Sequence, residues 1–165
     1  MNAHLVKDLD KLKAQILRVA AAVEENVRKS VRALRELSAP LAEDVVYSDR
    51  KIDEMEVETE CLKILALHQP VASDLRFVIT VLKINNELEH IGDMSANIAR
   101  RVPFLLRGGK APIPFDIDKM TSRTVYMLKS SIDAFLNGDE HLAVGMPPEI
   151  VPGQALQRRL HRLGL

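Results

Sequence analysis

Glycine and proline are almost absent from the first hundred residues of this chain. Residues 1–102 contain one glycine, Gly92, and two prolines, Pro40 and Pro70, whereas residues 103–165 contain six of each. The first part therefore reads as long helices punctuated twice, and the second as something interrupted. Within 4–37, the residues Leu5, Leu9, Leu12, Ile16, Val19, Val23, Val27, Val31 and Leu34 recur in steps of three and four, the period of a helix with one buried face. Ser38-Ala39-Pro40 ends that helix and opens the next, because proline cannot continue a helix interior. Residues 41–67 repeat the pattern on Leu41, Val45, Ile52, Met55, Leu62 and Ala66. Pro70 suits the first turn of a third helix, where its missing N–H costs nothing. Residues 71–102 carry Phe77, Val81, Ile84, Leu88, Ile91, Ser95 and Ile98 on one face. Short connections make the helices antiparallel neighbours, so the expected class is all-α, with an up-down-up three-helix bundle over residues 1–106.

Residues 107–117, containing the run RGGKAPIPF, read as a linker. Asp116 or Asp118 can cap a fourth helix over 118–137, with Met120, Thr124, Met127, Leu128, Ile132 and Phe135 as its periodic set and Asn137-Gly138 as its stop. A short piece at 139–144 precedes VGMPPEIVPG, which excludes a regular helix, and residues 154–162 suit one last short helix. Residues 118–165 thus look like an incomplete second three-helix bundle.

Composition narrows the function classes. The 23 basic and 23 acidic side chains cancel, which argues against binding nucleic acid through its phosphates. Aromatic residues make up 4% and tryptophan is absent, a poor basis for stacking platforms. Cys61 is the single cysteine, read as a small core residue in a reducing cytosol. The N-terminus has no apolar segment of the signal-peptide kind, and no apolar run approaches the roughly 20 residues that span a bilayer. A cytoplasmic protein without membrane insertion is expected. No phosphate-binding glycine loop or nucleophile motif is present, so nucleophilic catalysis has nothing to rest on.

Carboxylates supply the chemistry. In the third helix a polar stripe runs through Asn86, Glu89, Asp93, Asn97 and Arg100, and Glu89 and Asp93 stand at i and i+4. In the second helix Asp49, Asp53, Glu56 and Glu60 form a similar stripe. Asp49 and Asp53 precede the turn at residue 70 by about as many residues as Glu89 and Asp93 follow it, so in an antiparallel hairpin both pairs stand level. Level carboxylates repel, and a hard divalent or trivalent cation with oxygen ligands removes the repulsion. The alternative is a solvated face, with Arg50, Lys51, Lys83 and Arg100 supplying salt bridges. Glu87 and His90 make one Glu-x-x-His, where a di-iron carboxylate oxidase needs two.

Three blocks in this region carry a resemblance: D-x-x-I-D-x-x-E at Asp49–Glu56, Q-P-V-A-S-D-L-R at Gln69–Arg76, and L-E-x-I-G-D-x-x-x-N-I-A at Leu88–Ala99. In this order and spacing they closely resemble the PhoU family of phosphate-signalling and phosphate-transport accessory proteins. The resemblance implies two three-helix bundles related by internal repeat. It also implies metal binding at E/D-x-x-x-D motifs, carried here by Asp49, Asp53, Glu89 and Asp93, with Glu56 and Asn97 as further contacts. The cation would be Mg, Mn, Fe or Zn. It further implies a cytoplasmic homodimer, not an enzyme, that negatively regulates the phosphate-starvation response. Its partners would be the ATPase subunit of the phosphate ABC transporter and a phosphate-sensing histidine kinase.

Two departures stand out. His90 occupies a position where the family usually has arginine. In the second repeat, Ile150 and Gln154 replace expected acids, and Pro152-Gly153 breaks the expected helix. The expectation is a truncated or locally frameshifted second repeat without a second metal site. A degenerate or purely structural bundle without metal is the competing reading, and a carboxylate-bridged oxidase the remaining one.

Overall fold

The structure is a computed structural model, and it describes residues 3–108 and 115–139. The chain divides into two compact units, Met1–Ile117 and Asp118–Leu165. Every regular element among the described residues is a helix: α1 Ala3–Glu36, α2 Ala39–Asp53, α3 Val57–His68, α4 Ala72–Gly108 and α5 Ile117–Asn137.

α1 follows its expected stripe closely. Leu12, Ile16, Val19 and Val23 are fully buried, and Leu5, Val27 and Val31 nearly so. Its end is a tight reversal, in which Leu37 adopts a left-handed conformation (φ 51°) and the Ser38 N–H donates to the Ala33 carbonyl at 3.0 Å. Ser38 then starts α2, its hydroxyl accepting the Leu41 N–H at 3.4 Å. One serine closes a helix and caps the next, which forces α1 and α2 to run antiparallel. Side-chain bridges keep step along the rest of the hairpin: the ion pairs of Lys29 with Asp44 at 2.9 Å and Lys11 with Glu60 at 3.0 Å, and the hydrogen bond between His68 and Asp8 at 2.8 Å. As one partner moves back along α1 the other moves forward along α2 and α3. α4 returns and packs on α1, α2 and α3, completing the up-down-up bundle.

The expected single helix over 41–67 is two helices. It breaks at Glu54–Glu56, where the Val57 N–H turns back to the Met55 carbonyl at 2.8 Å. The buried positions explain the break. α2 buries Ala42, Val45, Asp49 and Ile52, whereas α3 buries Val57, Glu60, Cys61 and Ile64. At 100° per residue these two sets are roughly 90° out of phase, so one straight helix cannot bury both. Met55, Leu62 and Ala66, expected on the core face, are exposed instead. Cys61 is a core residue as expected, its thiol pushed up to about 11 by burial and then by Glu60 and Glu58.

α4 also differs from expectation. Its buried line runs through Val78, Val81, Asn85, Leu88, Gly92, Ser95, Ala96, Ala99 and Val102, and Phe77, Ile84 and Ile91 flank it half-buried while Ile98 is exposed. Small residues, not the largest ones, mark the closest helix approach. Pro70 sits before α4 rather than in its first turn, following Gln69 in a left-handed conformation (φ 44°) that ends α3. The helix continues through Pro103 to Gly108, into the segment expected as linker.

α5 begins and ends close to its expected limits. Gly138 (φ 64°) terminates it, with the Asp139 N–H donating to the Ala134 carbonyl at 2.9 Å and the Gly138 N–H to the Phe135 carbonyl at 3.4 Å. Val125, Ser130, Ile132 and Ala134 are its buried positions. The expected short piece at 139–144, the breaker run and the last helix at 154–162 fall almost wholly outside the described residues, as do Ile150 and Gln154.

Candidate metal centre

Asp49 is the centre of the site. Its position on α2 turns it towards α4, where it is 3% exposed and its Oδ1 has no hydrogen-bond partner. The only glycine of residues 1–102 lies opposite: a Cβ built on Gly92 would stand 2.8 Å from that oxygen. A central helix glycine costs about 1 kcal/mol relative to alanine. Here it makes room for a carboxylate. The match between Asp49 and Gly92 also places the two halves of the hairpin level, as their distances from residue 70 require.

The electrostatics follow from that seating. Burial raises the pKa of Asp49 above its ordinary 3.8, and the negative charges of Asp53 and Asp93 raise it further, with Arg100 opposing weakly. Asp53, the last residue of α2, is raised by partial burial of its carboxyl, then by Asp93 and Glu54. Three of the expected carboxylates therefore act on one another across α2 and α4. No lysine or arginine forms an ion pair with Asp49, Asp53, Glu89 or Asp93 among the described residues. The salt bridges expected from Arg50, Lys51, Lys83 and Arg100 are not made to these carboxylates.

Glu89 and Asn97 are engaged elsewhere. Glu89 is half-buried and accepts the Asn85 amide at 2.6 Å, one turn away on its own helix. Glu56 lies in the break before α3, exposed and off the α2 stripe. Asn97 accepts from Arg100 Nη1 at 2.8 Å on the surface of α4. Glu60 is drawn to α1 by Lys11 and flanked by Lys63 at 3.7 Å. Among the described residues, no group of three or more Asp, Glu, His or Cys side chains is arranged to hold a metal ion.

The donor set nevertheless fits a hard cation. The candidate donors are all carboxylate oxygens, one of them buried and unpartnered, with the exposed Asp53 and Asp93 acting on it. Two residues stand out beside the expected carboxylates: Gly92, whose missing side chain makes room for Asp49, and the buried Asn26. Gly92 was marked by being the one glycine in a long helical stretch. Asn26 of α1 is fully buried with neither amide atom partnered, and it stands as many residues before the Leu37–Ser38 turn as Asp49 stands after it. A polar residue amid the valines of α1 was its signal.

Comparison with known proteins agrees with this architecture. The PhoU domain matches residues 16–102, a span that includes Asp49, Asp53, Glu56, Glu89, Gly92, Asp93 and Asn97. The phosphate-specific transport system accessory protein PhoU homolog of Aquifex aeolicus is 34% identical over 141 residues, covering 84% of this chain and 64% of that protein. The Pseudomonas putida homolog is also 34% identical, covering 84% of this chain and 56% of its own length. The chain thus spans less than two thirds of either relative. Crystal structures of PhoU from Pseudomonas aeruginosa (34% identity, TM-score 0.78) and of the phosphate transport system regulatory protein PhoU from Streptococcus pneumoniae (28%, TM-score 0.77) superpose on 84% and 86% of this chain, and on 68% of each of theirs. With more than half of its length matched by the domain and the same helical bundle, the chain belongs to the PhoU family.

Proposed function

We propose that this chain is a non-enzymatic, cation-binding regulatory adaptor of phosphate transport. The observation that carries the reading is Asp49, a carboxylate held out of water with one oxygen unpartnered and two further carboxylates acting on it. Such a group is unfavourable alone and favourable beside a cation. Asp49, Asp53 and Asp93 would hold Mg, Mn, Fe or Zn. Glu89 joins on releasing Asn85, and Glu56 and Asn97 are the outer contacts. A bound cation supplies charge neutralisation and ties α2 to α4.

The partners in this reading are the ATPase subunit of a phosphate ABC transporter and a phosphate-sensing histidine kinase. The protein works as a cytoplasmic homodimer that restrains the phosphate-starvation response. No described helix is long and apolar enough to cross a membrane, in keeping with an adaptor that docks on membrane proteins. An adaptor shifts a partner's conformational equilibrium by its differential affinity for the two states, typically about 1–3 kcal/mol. The test is binding of the full chain to the purified transporter ATPase of the same organism, with each cation and after chelation. Binding that needs one cation supports the reading. Absence of binding in every condition contradicts it and favours a structural bundle without a signalling role.

A further inference from the structure

A second feature lies beside the acidic cluster and uses different chemistry. Between α2 and α4 a cleft of about 300 Å³ opens to solvent. Its floor is made by small side chains, Ala42 and Ala99, which are themselves anchored in the core with Val45 and Val102. Pro103 closes one end. As a proline within α4 it has no N–H, so the Ala99 carbonyl at the floor lacks its helical donor. The rim carries Arg50 and Arg100 with Tyr47, and Glu43 is its only carboxylate.

The rim charges are available. Arg50 is exposed and makes no ion pair among the described residues. Arg100 spends one nitrogen on Asn97, and a guanidinium has five N–H donors. Tyr47 is 59% exposed, with Lys51 Nζ 4.6 Å from its ring centroid adding positive charge to that edge. Arginine and tyrosine around a small apolar floor is the composition of an interface anchor point. The volume is at the lower limit for small-molecule pockets, and a free anion would leave the floor uncovered.

We propose that this cleft docks an acidic segment of a partner protein, one that seats a single apolar side chain on the Ala42–Ala99 floor and sets flanking carboxylates against Arg50 and Arg100. The floor supplies apolar burial and the two guanidinium forks supply orientation. Glu43 disfavours segments of greater negative charge on its side and gives the cleft a polarity. None of its contacts requires a bound metal, and because Arg100 also acts on Asp49 the binding test is made without one.

The experiment uses the full chain in chelator and a labelled peptide with a central leucine flanked by glutamates. Fluorescence anisotropy reads its binding. Glu43→Lys should tighten binding about two- to five-fold, and Arg50→Glu should weaken it by at least as much, the range for single exposed charge contacts. A peptide with lysines in place of the glutamates should show the opposite order. The gain in Glu43→Lys cannot arise from misfolding, so it keeps the test decisive. The proposal is overturned if the peptide fails to bind at millimolar concentration, or if the two variants leave its affinity unchanged. It is also overturned if inorganic phosphate displaces the peptide at comparable concentration, which would mark a small-anion site.

Discussion

Gly92→Ala tests whether Asp49 is truly seated on α4. The added Cβ would lie 2.8 Å from Asp49 Oδ1, about 0.6 Å inside the 3.4 Å at which ordinary contact begins. Two effects oppose each other. Alanine favours the helix over glycine by about 0.8–1 kcal/mol. Overpacking a buried site costs about 1–3 kcal/mol, and Asp49 at 3% exposure has little room to withdraw. The variant should therefore be destabilised by about 0–2 kcal/mol in chelator. In an Asp49→Ala background the obstructing oxygen is gone, and the same substitution should stabilise by about 1 kcal/mol. The coupling between the two positions is then about 1–3 kcal/mol, within the range for residues in direct contact. Urea unfolding followed by far-UV circular dichroism on the four proteins measures it. A stabilisation by Gly92→Ala of equal size in both backgrounds would refute the seating, and with it the physical reason for the glycine.

The folded pKa of Asp49 is raised, so in chelator its contribution favours the folded state below the ordinary 3.8 and is lost as pH rises through the folded value. Asp49→Asn should flatten that part of the stability–pH curve, as acid titration of the melting temperature will show. Asp8 has the opposite sign: its hydrogen bond to His68 lowers its pKa, giving stability that is present above 3.8 and lost as pH falls through the folded value. His68→Leu should lower stability at neutral pH and make the acid limb shallower in the same titration. Gln69 is exposed and left-handed at the end of α3, so Gln69→Gly should stabilise by about 0.5–1 kcal/mol, read as a higher urea midpoint at unchanged slope.

The sequence carried the bundle well where a single stripe of large side chains set the period, as in α1. It failed where two stripes met. Met55, Leu62 and Ala66 continued the α2 count in steps of three, four and seven, whereas Val57, Cys61 and Ile64 were the residues buried. Period alone does not reveal a change of phase. On α4 the eye follows Phe77, Ile84, Ile91 and Ile98, yet the buried line passes through Asn85, Gly92 and Ala99, because close helix approach selects small residues. The level of the acidic pairs was legible from equal distances to the turn, and the break at Glu54–Glu56 still leaves Asp49 opposite Gly92. Which carboxylate turns inward was not. Asp49 is buried and Glu89 is taken by Asn85, a distinction set by the rotation of each helix about its axis.

The cation site proposed at Asp49, Asp53 and Asp93 is tested by metal content together with thermal stability. The purified chain and its Asp49→Asn variant are analysed for bound elements and melted with and without chelator. A ligand at 100 times its Kd stabilises the folded state by about 2.7 kcal/mol, a shift of several degrees for a chain of this size. Near-stoichiometric metal is expected in the parent chain, with a melting temperature that falls on chelation and returns with one cation, and none of these in Asp49→Asn. A parent chain that holds no metal and melts identically with and without chelator, or a variant that retains the same metal, would contradict it.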